Sequence, residues 1–215
     1  MTDKKLTAIV LAGGKAKPAF VAATGVTNRA LAEVAPGRTM LSIILDTLAD
    51  AETVGDVYVV GEVGIVMEAK VTAPGESLLD NIQRGIEASG ADPDDKVLLV
   101  SADIPFIKPQ DVDTYVEAAL QSGGDFCYPI IPMANCRHEF PGMKRPTLTL
   151  SEGEFTGGNI MLVRAGVITG NSATIHAAYA ARKSPFALGK ILGWGLLGKI
   201  VASQAAFPGL LNIPL

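Results

Sequence analysis

The sequence predicts an α/β fold: a mainly parallel sheet in three layers, helices on both faces, interrupted by a β-hairpin-rich insertion. Three observations predict it. Apolar, β-branched runs at Leu6–Leu11, Val57–Val60 and Lys96–Val100 each end in glycine or small polar residues, as buried parallel strands feeding loops do. Segments with apolar residues at helical spacing lie between them. From Asp125 to Val163 that alternation gives way to short β segments and turns.

The elements follow in order. Leu6–Leu11 is a buried strand running into Ala12-Gly13-Gly14. After a turn at Pro36-Gly37, Met40, Ile43, Ile44, Thr47 and Leu48 recur at helical spacing. Val57–Val60 is a short strand stopped by Gly61. Pro74-Gly75 breaks the chain before a helix over Ser77–Ala88, with Ser77 as N-cap and Leu78, Ile82 and Ile86 along one stripe. Lys96–Val100 is a second buried strand and ends in Ser101-Ala102-Asp103. Pro109 opens a helix running to Gln121. Asp125–Ile131 and Thr147–Leu150 read as strands separated by a long polar loop. A turn at Ser151-Glu152-Gly153-Glu154 and the Gly157-Gly158-Asn159 segment lead to a last strand, Ile160–Val163.

Composition narrows the function classes. The 215 residues are 48% hydrophobic and only 6% aromatic, so the core is aliphatic and large enough to stand without disulfide staples. A net charge of −4 argues against a nucleic-acid partner, whose phosphate backbone calls for a basic surface. Two cysteines, Cys127 and Cys136, make no disulfide framework, and no secretory signal opens the chain; the expectation is a reducing cytoplasm. Cys127, Cys136 and His138 lack the fourth ligand that a structural zinc site needs.

Residues 1–181 are expected to form one domain, and residues 182–215 an apolar C-terminal segment packed on that domain or on a partner. Lys190 and Lys199 fall on opposite sides of a helix there, so it has no clean polar face. Homodimer contact or peripheral membrane-surface contact through residues 186–215 is the alternative to core packing, with Trp194 and flanking lysines suited to an interface.

In open α/β sheets, ligands sit beyond the carboxyl ends of the strands. Two polar clusters fall there: Gly13-Gly14-Lys15-Ala16-Lys17 and Asp103. Glycines let a backbone approach phosphate closely, and Lys15, Lys17 and Arg29 offer compensating charge. A lone Gly-Gly is better read as a turn. The loop matches neither the P-loop nor the dinucleotide fingerprint.

Four segments, in order, resemble the nucleotidyltransferase family that includes molybdenum-cofactor guanylyltransferases, sugar-phosphate nucleotidyltransferases and methylerythritol-phosphate cytidylyltransferases. Leu11-Ala12-Gly13-Gly14 is similar to its triphosphate loop, and Asn28-Arg29-Ala30-Leu31 to the segment that follows, with Arg29 where a lysine is usual. Ser101-Ala102-Asp103-Ile104-Pro105 resembles the segment whose aspartate holds Mg²⁺. Thr156-Gly157-Gly158-Asn159 resembles the acceptor-side strand, and residues 74–85 the part that contacts the base.

The resemblance implies a Rossmann-like, GT-A-like nucleotide-diphospho-sugar transferase fold and an enzyme that transfers a nucleoside monophosphate group from a nucleoside triphosphate to a small phosphorylated acceptor, releasing pyrophosphate. It implies Lys15, Lys17, Arg29 and Asp103 as catalytic residues. Leu11, Ala12, Gly13 and Gly14 would hold the phosphates, and Ser77 and Asn81 would lie near the base. Asp103 is the expected Mg²⁺ ligand, with Asn159 as candidate second ligand. Lys144 and Arg145, with Gly157 and Gly158, are the candidate acceptor-binding residues; an ordinary solvated loop explains Lys144 and Arg145 equally well.

The chain departs from the family in three places. The glycine loop reads Gly14-Lys15-Ala16-Lys17-Pro18, without the usual arginine, and the stretch to Asn28 is longer than in relatives. The end of the chain lacks the family's paired-aspartate segment. Two other functions stay open: a nucleotide-sugar glycosyltransferase, disfavoured because Ser101 stands where a D-x-D motif has its first aspartate, and a non-catalytic binding or assembly protein of the same fold.

Overall fold

A computed structural model describes residues 5–150 and 152–181. In chain order the elements are β1 (Leu6–Leu11), α1 (Pro18–Thr24), a 3₁₀ turn (Arg29–Leu31), β2 (Glu33–Ala35), β3 (Arg38–Thr39), α2 (Met40–Asp50), β4 (Val54–Val60), β5 (Lys70–Thr72) and α3 (Leu78–Ser89). There follow β6 (Lys96–Ser101), α4 (Pro109–Gln121), β7 (Phe126–Cys127), β8 (Ile130–Pro132), α5 (Met133–Glu139), β9 (Leu148–Leu150), β10 (Gly153–Gly157), β11 (Ile160–Arg164), α6 (Ala165–Thr169) and α7 (Ser172–Ala181). The apolar segment 182–215, with Trp194 and the proposed dimer or membrane contact, lies outside the described residues. Among the described residues, no helix is long and apolar enough to cross a membrane.

The described residues fall into two compact units, residues 5–127 with Asn159–Gly170 and Tyr128–Gly158 with residues 171–181. The first holds a six-stranded sheet in the order β5-β4-β1-β6-β11-β7. The β5, β4, β1 and β6 strands are parallel, whereas β11 runs antiparallel to both β6 and β7, so the sheet is mainly parallel as predicted. β1 and β6 lie inside it and are buried on both faces, which is why they read as continuous apolar runs.

Side-chain alternation along β1 sorts the layers. Ala8, Val10 and Ala12 pack with Leu41, Ile44 and Leu48 of α2 and Val112, Val116 and Ala119 of α4. Ile9 points the other way, against Gly85 of α3, where an added Cβ would strike the Ile9 and Val60 side chains. Helices therefore cover both faces. α2 begins at Thr39, whose hydroxyl accepts from Ser42 N at 3.1 Å, and α3 begins at the predicted cap Ser77, which accepts from Asp80 N at 3.2 Å.

The second unit carries a three-stranded antiparallel sheet, β8-β10-β9, the predicted hairpin-rich insertion. Two expectations need correction. The strand read over Asp125–Ile131 breaks at Tyr128-Pro129: β7 joins the large sheet and β8 the small one. Pro129 has no N–H for a ladder; its carbonyl instead accepts from Gly158 N at 2.9 Å. The loop after Ile131 also contains α5, so Arg137 and His138 sit in a last helical turn, and Arg137 pairs with Glu154 at 2.6 Å.

Two polar side chains tie the first unit together. The Tyr115 hydroxyl donates to Cys127 O at 2.6 Å and accepts from Leu162 N at 2.9 Å, and its burial pushes its pKa up. Asp113 of α4 accepts from Thr53 N at 2.9 Å, Thr53 Oγ1 at 2.7 Å and Glu52 N at 3.1 Å, latching α4 to the start of β4. Burial alone would raise the Asp113 pKa, but these hydrogen bonds outweigh it and hold the carboxyl below its ordinary 3.8. A folded-state pKa below the unfolded one means the latch stabilises the fold above the unfolded value and is lost as pH falls through the folded value. Asp113→Ala should therefore cost about 1 kcal/mol at neutral pH. The gap between variant and wild type should close in acid, as read by denaturant unfolding across pH.

Candidate nucleotide site

β1 stands between β4 and β6, with Leu11 opposite both Val60 and Ser101. The carboxyl ends of three parallel strands therefore lie side by side. The glycine loop leaves β1 there, and Asp103 follows β6 after Ala102. Asn28 secures the loop: its Nδ2 donates to Ala12 O at 2.8 Å and to Glu62 O at 3.2 Å, and its Oδ1 accepts from Ala30 N at 3.0 Å. Ala16 N donates to Thr27 O at 2.8 Å, and Lys15 bridges antiparallel to Asn28. Between this loop and Asn28 the chain forms α1, started by Pro18 and closed by Gly25 in the left-handed region (φ 74°), with no buried side chain. Lys15 and Lys17 are exposed, Lys17 as the residue before α1.

Neither glycine of the loop has a positive φ. Each leaves room for another side chain. A Cβ on Gly13 would lie 2.6 Å from Asn81 Nδ2, and one on Gly14 would lie 3.0 Å from Arg29 Nη2. Asn81 is buried in α3 at 8% exposure, and its Oδ1 accepts from Gly75 N at 2.7 Å. It thus braces the Pro74-Gly75 turn against the glycine loop. Ser77 has its hydroxyl committed to Asp80, both as the α3 cap and through Oδ2 at 2.8 Å.

Asp103 is the electrostatic centre. Its Oδ1 accepts from Ser101 Oγ at 2.5 Å and from Asn159 Nδ2 at 3.2 Å, and its Oδ2 lies 3.2 Å from Arg29 Nη1. A cavity of about 30 Å³ is lined by Leu11, Ala12, Gly14, Asn28, Arg29, Ala30, Ser101, Ala102 and Asp103. It has room for a water or two or a cation, and not for a nucleotide, which would have to lie over its open side. A larger hollow of about 720 Å³ beside α3 is lined by Glu76, Asp80 and Glu87, with Arg84 the single cation, the wrong sign for a polyphosphate.

The structure thus brings together Leu11, Ala12, Gly14, Arg29 and Asp103 around one cavity, with Asn159 on Asp103 and Gly13 against Asn81. Lys144, Arg145, Gly157 and Gly158 belong to the second unit. There the Arg145 guanidinium donates to Gly157 O at 2.9 Å, while Lys144 is exposed. A Cβ on Gly157 would overlap the Tyr128 hydroxyl, and one on Gly158 would sit 2.7 Å from Pro129 Cγ, so packing alone accounts for both glycines. Sequence reasoning missed two site residues, Asn28 and Ser101. Both stand inside the segments singled out, and a small polar residue just before a 3₁₀ turn or at a strand end was the available signal.

Residues 8–140 match the model of the MobA-like NTP transferase domain. The chain belongs to that family. The enzyme class read from the sequence, a transferase of the nucleotidyl type, goes with that membership. No curated protein matches the chain. Among solved structures, a hypothetical transferase from Thermus thermophilus is similar at 30% identity and a TM-score of 0.72, over 94% of this chain and 83% of that one. CMP:2-keto-3-deoxy-manno-octonic acid synthetase, solved with CTP, shares the fold at 15% identity and a TM-score of 0.58, over 80% and 78% of the two chains. The 2-C-methyl-D-erythritol 4-phosphate cytidylyltransferase of Francisella tularensis does so at 13% identity and 0.56, over 82% of each.

Mg²⁺ is the cation that the sequence resemblance implies at Asp103 and Asn159. Among the described residues, no group of three or more His, Cys, Asp or Glu could hold a metal ion by itself. One carboxylate beside a carboxamide suits Mg²⁺ if phosphates and water supply its remaining octahedral ligands. Asp103 and Asn159 meet that description, with the Asn159 carboxamide now turning its nitrogen to the carboxylate.

The brace between the loop and α3 has a measurable signature. Asn81→Ala strands the Gly75 N–H and should cost about 2 kcal/mol, lowering Tm by about 4–8 °C in calorimetry. Gly13→Ala should also destabilise, but less in the Asn81→Ala background, because the clash partner is gone. Additive losses in this double-mutant cycle would show that the two residues do not meet.

Proposed function

We propose that this protein is a Mg²⁺-dependent nucleotidyltransferase that moves a nucleoside monophosphate group from a nucleoside triphosphate to a small phosphorylated acceptor. The observation that carries the reading is the convergence of the glycine loop, Arg29 and Asp103 at the carboxyl ends of β1 and β6. In the reaction an acceptor phosphate oxygen attacks the α-phosphorus in line, and the new P–O bond forms as the bond to pyrophosphate breaks; a hydroxyl acceptor would in addition lose its proton to solvent. Positioning and charge neutralisation are what such a transfer asks of a protein.

Leu11 and Ala12 would line the phosphate side of the site, and with the Ala12 N–H engaged by Val60 O, the backbone of Gly13 and Gly14 would face the phosphates. Lys15, Lys17 and Arg29 would balance their charge, Arg29 with the fork that matches phosphate oxygens. Asp103 and Asn159 would hold Mg²⁺, which when bound neutralises charge on the phosphate oxygens. Ser77 and Asn81 would act near the base by shaping the 74–81 turn, since the Ser77 hydroxyl and Asn81 Oδ1 are engaged within the protein. Lys144 and Arg145 would receive the acceptor's phosphate.

A thermal-shift panel of ATP, GTP, CTP and UTP, with and without Mg²⁺, tests the reading. At a concentration of 100 Kd, one triphosphate should stabilise the wild type by about 2.7 kcal/mol, or about 5–10 °C, only with Mg²⁺ and not in Asp103→Ala. No shift with any of the four, on folded protein, would sink the proposal and favour a non-catalytic role. Once the acceptor is found, Lys144→Ala should raise its KM about fivefold and leave the triphosphate-induced shift in place. An unchanged KM would return Lys144 to the solvated loop.

A further inference from the structure

We propose that Arg29 is a resident counter-ion that occupies Asp103 until a triphosphate draws it away, so that cation and nucleotide enter the site as one unit. The inference rests on the nucleotidyltransferase reading. Its basis is the division of labour around the Asp103 carboxylate. Oδ1 is held by two neutral donors, Ser101 Oγ and Asn159 Nδ2, which orient the group without cancelling its charge. Oδ2 is met by the Arg29 guanidinium at 3.2 Å, the single ion-pair partner of Asp103 among the described residues.

That guanidinium bridges Asp103 and the glycine loop. Its Nη1 faces Asp103, while its Nη2 rests over Gly14, close enough that a Cβ there would stand 3.0 Å away. Arg29 and Asp103 share the lining of the cavity of about 30 Å³, which has room for a cation. A divalent cation arriving alone meets a fixed positive charge at the oxygen it needs. The Arg29 side chain is 46% exposed and that of Asp103 25%, so the pair is held at the surface and not locked in the core.

A triphosphate changes the balance. Its oxygens offer the guanidinium a bidentate partner of higher charge than one carboxylate. Once Arg29 turns to the phosphates, Oδ2 is exposed to the cation that the triphosphate carries. Cation and nucleotide then favour each other's binding, and by linkage the effect is reciprocal. Arginine suits this role better than lysine: a planar fork can touch Asp103 through one nitrogen while another lies over the loop, whereas an ammonium is a single point.

The test is Mn²⁺ binding to the nucleotide-free, full-length protein, read by electron paramagnetic resonance on Arg29→Gln, Lys15→Gln, Arg29→Gln/Asp103→Ala and the wild type. Circular dichroism confirms that each is folded. Arg29→Gln should bind Mn²⁺ at least about fivefold more tightly than the wild type, and the gain should vanish in the double variant. Lys15→Gln removes one positive charge from the glycine loop without touching Asp103 and should leave Mn²⁺ affinity near that of the wild type. Equal gains in Arg29→Gln and Lys15→Gln would mean only net charge, and would overturn the proposal. So would no gain or no binding in Arg29→Gln, or a gain that survives in the double variant. Stabilisation of the wild type by Mg²⁺ and a triphosphate is read separately, so the counter-ion role can fail while the nucleotidyltransferase reading stands.

Discussion

β1 pairs in parallel with β4 on one side and β6 on the other, and its last residue, Leu11, stands opposite Val60 and Ser101. That register is the constraint on which the site depends. A slip of one residue would turn Ile9 toward α2 and Val10 toward α3, exchanging the two faces of a strand buried on both. It would also carry the glycine loop out of reach of Asn28, whose carboxamide bridges Ala12 O and Glu62 O across the ends of β1 and β4. The core and the site are therefore held by the same pairing. Buried apolar residues set it, and one asparagine transmits it to the loop.

The two glycines illustrate how packing and function converge. Glycine in such a loop invites an explanation from phosphate approach or from backbone conformation. Neither Gly13 nor Gly14 needs a positive φ, and each is small because a particular side chain lies where its Cβ would be. Those side chains, Asn81 and Arg29, come from the two segments that flank the loop, α3 after the 74–77 turn and the 3₁₀ turn. A bare backbone there admits both neighbours at once. A backbone without side chains is also what a closely approaching anion requires, so the packing role and the proposed binding role do not compete.

Legibility in the sequence followed the range of the interactions. Central strands buried on both faces announce themselves as apolar runs, which is why Leu6–Leu11 and Lys96–Val100 were read nearly to the residue. Caps are local chemistry, so Ser77 was legible too. The Asp125–Ile131 run looked continuous because its composition is strand-like throughout; the break at Pro129 decides which sheet each half joins, and apolar pattern carries no such information. α5 is only seven residues long with Met133 its one buried side chain, too little to set a helical period. At the site, Asp103 and Arg29 were each recognised from motif resemblance. Their ion pair, and the contact of Asn81 with Gly13, join residues far apart in the chain. Only the register of β1, β4 and β6 brings them together.

The size of the site bears on how its ligands must arrive. Around Asp103 there is one carboxylate, one guanidinium that neutralises it, and a cavity of about 30 Å³. Such a set has little affinity for a bare divalent cation, which needs several oxygen ligands, and it encloses none of a nucleotide's bulk. On the proposed reading these two deficits are complementary. The triphosphate brings the oxygens that one aspartate cannot supply, and the cation brings the charge that two exposed lysines supply only loosely. The same argument gives Arg29 a reason to lie on Asp103 in the nucleotide-free protein. A partly exposed aspartate held by two neutral donors is most stable with a cation beside it, and the fork of positive charge beside it, Arg29, is the one the phosphates would later use.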